Sequence, residues 1–433
     1  MKLLWFTNTP SMATERLTGG FNIGGGWLES LEKHFRKDTD IELAVAFYWD
    51  GTQELDKFTE SGRKYYAIPA PYTGSKLQKY KRRSQNLIEP PEIVNYFEEI
   101  VADFQPDMIH VFGSEKAFGL IAPRVKVPTA LWIQGNLTVY THKWFSGISR
   151  AEVLKLTPQK DKLKHTDNEA KYQTSLKVAE REREIFKGCK YFTGRTDWDR
   201  RITQVLAPKA QYFHCDEILR DAFYQSHWKP HTNRDELRIM TTIQGNLYKG
   251  FETILESMPM LQEQLDHKVR WRICGMKKED ALVKLFEKKY KVNPASLNIE
   301  LLGRVSPETL IEELLAADMF VHPSHIDNSP NSVCEAMLVG TPVVATYAGG
   351  TPSLLENNQE GILVQAGDPY AMAGAILDLY HNQEIAVQMA QAAKHRAQER
   401  QNPKRIVDSL LAIYQNILAH ENQDQKISSL TSQ

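Results

Sequence analysis

Two carboxylates eight residues apart, Asp327 and Glu335, bracket the start of an expected helix in ADMFVHPSHIDNSPNSVCEAMLVGTPVVATYAGG. Ser329 suits its N-cap, Pro330 its first helical position, and Gly340 followed by Pro342 its end. Counted from Pro330, Glu335 stands roughly 9 Å along the axis and about 200° around from Val333. It therefore points away from the apolar stripe of Val333, Ala336, Met337 and Gly340. The free backbone N–H groups of the first turn lie between the two acids, and such groups bind phosphate. A loop carboxylate, a phosphate cradle and a helix carboxylate in that order suit one extended ligand: a hexose, a diphosphate and a ribose.

The elements that must position these groups are legible on either side. The apolar run 319–322 reads as a buried strand giving way to a loop at Pro323-Ser324, and 343–346 reads as the next strand. Strand, helix and strand then form a parallel unit. Upstream, residues 3–6 form the expected first strand, followed by a long loop that ends in Gly24-Gly25-Gly26 at a helix start. Glycines there let a ligand approach the backbone, although the G-x-G-x-x-G order of a dinucleotide fingerprint is absent. Glu115 follows a strand in FQPDMIHVFGSE, Gln134 follows the strand 129–133, and Arg195 follows CKYFTG. All three stand at carboxyl ends of strands, where α/β sheets bind ligands. His110, in mid-strand, reads as a satisfied core residue.

The stretch PSHIDNSPNSVCEAMLVGTPVVAT resembles the signature of the retaining, two-domain glycosyltransferases of family 4, whose fold is called GT-B. In that family an acid, seven further residues and a Glu precede a helix ending G-x-P-V-V-A. The family has Glu at the first position, and this chain has Asp327. The resemblance implies donor contacts from the glycine loop at Gly24 and Gly25, from Asn246, from the G-x-V step at Val305, and from Asn328, Asn331, Ser332, Val333 and Glu335. It places Gly349-Gly350 near the donor and Lys249 of the K-G pair on the donor diphosphate. Asn246 stands where the family usually carries an Arg, so Arg195 is the expected second cation. Gln134 occupies the place of a His that contacts the donor sugar and approaches the acceptor, and it carries no proton as imidazole does. Lys249, Asp327 and Arg195 are accordingly the catalytic candidates, with Glu115 and Gln134 on the acceptor side.

Asp197-Trp198-Asp199 matches the D-x-D of metal-dependent transferases, but a helix begins at once, so capping by Thr196 or Asp197 is the expectation. No metal or cofactor is implied. KLQKYKRR, residues 76–83, is the one dense basic cluster. It reads either as a solvated helix face or, through Lys76, Lys79, Lys81, Arg82 and Arg83, as a contact with a membrane surface carrying a lipid-linked acceptor.

At 433 residues the chain exceeds one ordinary core and fits two domains. With 42% hydrophobic and 25% charged residues it is globular, and a net charge of −1 argues against nucleic acid as a partner. Four cysteines without metal-ligand spacing, no signal-peptide stretch at the start and no membrane span point to a cytoplasmic setting, with peripheral membrane contact open. The expected architecture is α/β: an acceptor-binding Rossmann-like domain at 1–230 and a nucleotide-sugar-binding one at 231–400, facing a central cleft. A helix at 401–420 crosses back to the first domain, and 421–433 is a disordered tail. The implied activity is transfer of a hexose-type sugar from a nucleotide sugar to a glycan or lipid-linked glycan. A nucleotide-sugar epimerase of the same architecture and a non-catalytic nucleotide-sugar binding protein are the alternatives.

Overall fold

The computed structural model describes residues 1–19, 26–60, 62–232, 235–266 and 268–431, with side chains for all of these except 38 and 425–431. The chain divides into two compact units. The first comprises Met1–Thr138, Ala170–Ile218 and Gln401–Gln433; the second comprises Val139–Glu169 and Leu219–Arg400.

The first unit holds an eight-stranded sheet built from β1 (Lys2–Thr7), β2 (Glu42–Trp49), β3 (Asp56–Glu60), β4 (Arg63–Pro69), β5 (Met108–Phe112), β6 (Thr129–Trp132), β7 (Tyr191–Gly194) and β8 (Gln211–His214). Their order is β3-β4-β2-β1-β5-β6-β7-β8, and only β3 runs antiparallel to its neighbour. The runs KLLWFT and MIHVF carry apolar side chains on both faces, as strands covered on both sides require. Leu3, Trp5, Phe35 and Met108 lie in one core layer, and Leu4, Phe6, Phe97 and Ile109 in the other.

The helix Pro403–Thr431 completes the first layer with Ile406, Leu410, Ile413, Tyr414 and Ile417, the face its spacing predicts. Tyr414 Oη lies 2.7 Å from His110 Nδ1, and Thr193 Oγ1 lies 3.2 Å from His110 Nε2. Burial pushes the His110 imidazole down to about 3, so it is a neutral core group, as expected of a mid-strand histidine. The helix continues beyond the expected end at 420, because Glu421 pairs with Lys190 and Tyr191 and carries the last turns onward.

The second unit holds a six-stranded, wholly parallel sheet of β9 (Glu236–Thr242), β10 (Lys268–Cys274), β11 (Ile299–Gly303), β12 (Met319–His322), β13 (Val343–Thr346) and β14 (Ile362–Val364). The order β11-β10-β9-β12-β13-β14 reverses direction between β9 and β12. At such a switch point the loops leaving the two strands part and open a crevice at the carboxyl edge, where α/β sheets take their ligands. Residues 139–169, which the sequence places in the first domain, belong to this unit. Tyr140 and Trp144 pack on Tyr248, and Lys289 Nζ donates to the Gly147 carbonyl. Polar composition concealed that attachment, which rests on two aromatic rings.

Candidate active site

In the second unit, chemistry gathers at the carboxyl ends of β9, β12 and β13. After β9 the chain makes a short turn, Leu247–Lys249, then passes through Gly250 at φ +76° into the helix Phe251–Gln264. A Cβ on Gly250 would overlap the Pro323 carbonyl, so glycine lets the β9 and β12 loops touch. His325 N–H donates to the Tyr248 carbonyl at 2.8 Å, and the His325 ring meets the buried Glu252 carboxylate. Thr346 Oγ1 donates to the Ser324 carbonyl at 2.5 Å and fixes the same loop to β13.

That stitching sets Lys249 Nζ 2.5 Å from Asp327 Oδ2. His322, the last residue of β12, stands behind them with Nε2 3.4 Å from the same oxygen. Burial alone would push the Asp327 carboxyl up, but the Lys249 ammonium and the His322 imidazole outweigh it and hold the group well below the usual carboxylate range. Burial also pushes the His322 imidazole down, so the ring is neutral near pH 7. The site thus holds one fixed anion and one fixed cation. The sequence expectation assigned the two to separate parts of a ligand, and here they form an ion pair.

The helix Asn331–Val339 begins one residue later than expected. Pro330, not Ser329, is its N-cap, because Pro330 has an extended ψ of 110°. Pro330 itself makes no side-chain cap bond, and Gly340 closes the helix at φ +89° as expected. Asn331 and Ser332 are half-buried at its start, whereas Val333 is buried in the core and offers only backbone to a ligand. Asn328 is buried beside Asp327 Oδ1, to which its own N–H donates at 3.1 Å. Glu335 is buried rather than solvated, and Arg220 Nη2 donates to its Oε1 at 2.7 Å. Desolvation nevertheless raises the Glu335 carboxyl above its ordinary range, with Arg220 opposing. Val305 packs half-buried against the core, and Asn246 precedes the turn that carries Lys249 without a side-chain cap bond to it.

Gly349 has φ +56°, and a Cβ there would overlap the Asp327 carbonyl; Gly350 N–H donates to that carbonyl at 2.9 Å. Gly349→Ala is expected to cost about 1–2 kcal/mol in left-handed strain alone, plus the displacement of the Asp327 loop. Urea unfolding of the variant tests this, and an unchanged midpoint would show the loop is not so tightly held.

In the first unit the three expected residues follow neighbouring strands β5, β6 and β7. Glu115 is half-buried and accepts from Asn8 Nδ2 at 3.2 Å; loss of water raises its carboxyl pKa. Gln134 is half-buried, and its carbonyl accepts from Arg195 Nη2 at 3.1 Å. Arg195 departs from expectation. It is buried, ion-paired with Glu217, and turned onto the carbonyls of Ile133 and Gln134. Within its own unit the guanidinium thus meets one carboxylate and the backbone of the Gln134 loop. Thr196 and Asp199 form a reciprocal cap on the helix Asp197–Leu206, and Asp197 pairs with Arg200 and Arg201. Gly24 and Gly25 lie outside the described residues.

Sequence reasoning missed His322 and Arg220. The position of His322, last in a buried strand before the acid loop, was the available signal. For Arg220 there was no such signal.

The family model for glycosyl transferases group 1 matches residues 225–396, the span that contains Lys249, Asp327 and Glu335. Over these residues the chain is similar to group 1 glycosyl transferases. Among curated proteins, the D-inositol 3-phosphate glycosyltransferase of Corynebacterium urealyticum is 31% identical over 152 residues, 34% of this chain and 36% of that protein. The chain spans about a third of the length of the curated relatives it matches. Among solved structures, a sucrose-phosphate synthase from Thermosynechococcus elongatus gives a TM-score of 0.71 at 15% identity, over 97% of this chain and 100% of that one. HepE from Anabaena, in complex with UDP and glucose, gives 0.61 at 15% identity, over 96% and 99%. The fold is GT-B.

Proposed function

We propose that this chain transfers a hexose-type sugar from a nucleotide sugar to a glycan or lipid-linked glycan, with retention at the anomeric carbon. The observation that carries the reading is the Lys249–Asp327 pair beside the start of the helix Asn331–Val339. The amides of Asn331 and Ser332 and the Lys249 ammonium would receive the diphosphate, since a helix N-terminus and a fixed cation both favour anionic charge. Asp327 spends one lone pair on Lys249 and one on the Asn328 amide, which leaves acceptor capacity for hexose hydroxyls. Glu335, oriented by Arg220, would take the ribose. Catalysis rests on holding the donor and on stabilising charge as the diphosphate departs. The leaving phosphate would itself accept the proton of the incoming hydroxyl.

The relatives support a nucleotide-sugar donor, since HepE is a UDP and UDP-glucose complex in its solved forms. Among the described residues the four buried cysteines form no disulfide, which fits a reducing compartment such as the cytoplasm. Among the described residues no helix is long and apolar enough to cross a membrane. The helix Lys76–Ser84 has no buried residue, and Leu77 and Tyr80 are exposed among its five cations, which fits peripheral contact with an anionic leaflet. A thermal-shift panel of UDP-, GDP- and ADP-sugars tests the reading, because a bound donor raises the melting temperature. One nucleotide class should stabilise the chain; a flat response to every class would oppose the proposal.

Metal plays no part in the proposed chemistry. Transfer is expected to persist in excess EDTA, since Asp199 is committed to its helix cap. Activity abolished by EDTA and restored by manganese would contradict this.

A further inference from the structure

Adjacent residues of the helix Asn168–Gly188 carry two buried charges, Arg181 and Glu182. Glu182 Oε1 accepts from Ser114 Oγ at 2.5 Å and from the Leu137 N–H at 3.0 Å, while Oε2 accepts from the Thr138 N–H at 2.6 Å. Arg181 Nη2 donates to the Glu115 carbonyl at 2.7 Å and pairs with Glu89. Ser114 and Glu115 belong to the loop after β5. Leu137 and Thr138 open a helix directly after Gln134-Gly135-Asn136, the loop after β6. One carboxylate therefore ties together the two loops that carry Glu115 and Gln134.

A helix start is ordinarily capped by a Ser, Thr, Asp or Asn of its own chain segment. Here the cap comes from a residue 45 positions away, and the same oxygen that serves Leu137 also serves Ser114. Burying a carboxylate is costly unless its lone pairs are filled by well-placed donors. Three donors fill them, two of them amides at a helix N-terminus, where negative charge is favoured. A local cap would secure the helix alone; only a shared, buried carboxylate also sets the spacing between the loops.

We propose that Glu182 is a positioning residue for the acceptor. Acting through Ser114, Leu137 and Thr138, it sets the separation of Glu115 and Gln134, and Arg181 holds the backbone of the first loop. The inference rests on the assignment of Glu115 and Gln134 to the acceptor side of a transferase.

The experiment measures acceptor KM, kcat and free-nucleotide affinity for the full chain and for Glu182→Gln, Glu182→Asp and Ser114→Ala. Glu182→Gln replaces one accepting oxygen with a donor, so acceptor KM should rise about tenfold, the scale of one lost charged hydrogen bond. Ser114→Ala should raise it in the same direction, because it cuts only the link between the loops. Glu182→Asp, too short to reach both loops, should not restore native KM. Nucleotide affinity should stay native in every variant. An unchanged acceptor KM in Glu182→Gln, or a rise there with none in Ser114→Ala, would overturn the proposal, the latter by reducing Glu182 to a helix cap. If the native chain transfers no sugar, the functional assignment fails by itself. The coupling is then judged by amide exchange: Ser114→Ala should speed exchange at Leu137 and Thr138, and native rates there would overturn it. The same exchange readout serves if Glu182→Gln does not fold.

Discussion

Lys249→Ala is expected to lower kcat about a hundredfold or more, on the scale of losing one fixed electrostatic stabiliser, with a smaller change in donor KM. The charge on a departing diphosphate grows along the reaction, so a cation held in place acts more on the transition state than on the bound donor. The structure adds a second consequence. Lys249 is the chief partner holding the buried Asp327 carboxyl below its ordinary range. Without it, burial dominates and the Asp327 pKa rises, which weakens the anion offered to the hexose. The sign follows from linkage. A carboxyl depressed in the fold contributes stability above its unfolded value of about 4, and loses it as pH falls toward the folded value. The native chain should therefore lose this contribution in acid, and Lys249→Ala should show less of it. Steady-state kinetics and unfolding at pH 7 and pH 3 measure both effects. A near-native kcat in Lys249→Ala would place the diphosphate elsewhere.

Glu335→Ala should weaken affinity for the free nucleotide about ten- to hundredfold, the value of a charged hydrogen bond lost to both ribose hydroxyls. Glu335→Gln should fall between, because it keeps one accepting oxygen. A competing possibility comes from the Arg220 contact: a carboxylate that serves only to neutralise Arg220 would be a stability element. The two are separable by calorimetry and melting together. Loss of affinity with a modest change in melting temperature supports the ribose contact. Native affinity with a lowered melting temperature would remove Glu335 from the site.

Much of this was legible in the residues. The parallel strands of both sheets followed from continuous apolar runs such as KLLWFT and MFVH, and the helix 331–339 from its Pro and Gly punctuation. Its last helix was legible from the 3.6-residue repeat of Ile406, Leu410, Ile413 and Tyr414. Partners were not. Arg195 looked like a free cation because nothing in the local sequence announces Glu217, and the partner of Glu335, Arg220, lies 115 positions away. Pairings of that range are set by which strands become neighbours, and periodicity carries no information about them. The segment 139–169 was misplaced for a related reason: its polar composition hides the two aromatic rings that anchor it to Tyr248.

The proposed reaction is transfer of a hexose from a bound nucleotide sugar without inversion. Incubation of the chain with α-configured UDP-, GDP- or ADP-hexose and a mixture of oligosaccharide and lipid-linked acceptors, followed by NMR of the anomeric proton, tests it most directly. The account predicts an α-linked product whose formation needs an acceptor. A β-linked product, or an isomerised nucleotide sugar formed with no acceptor present, would contradict it.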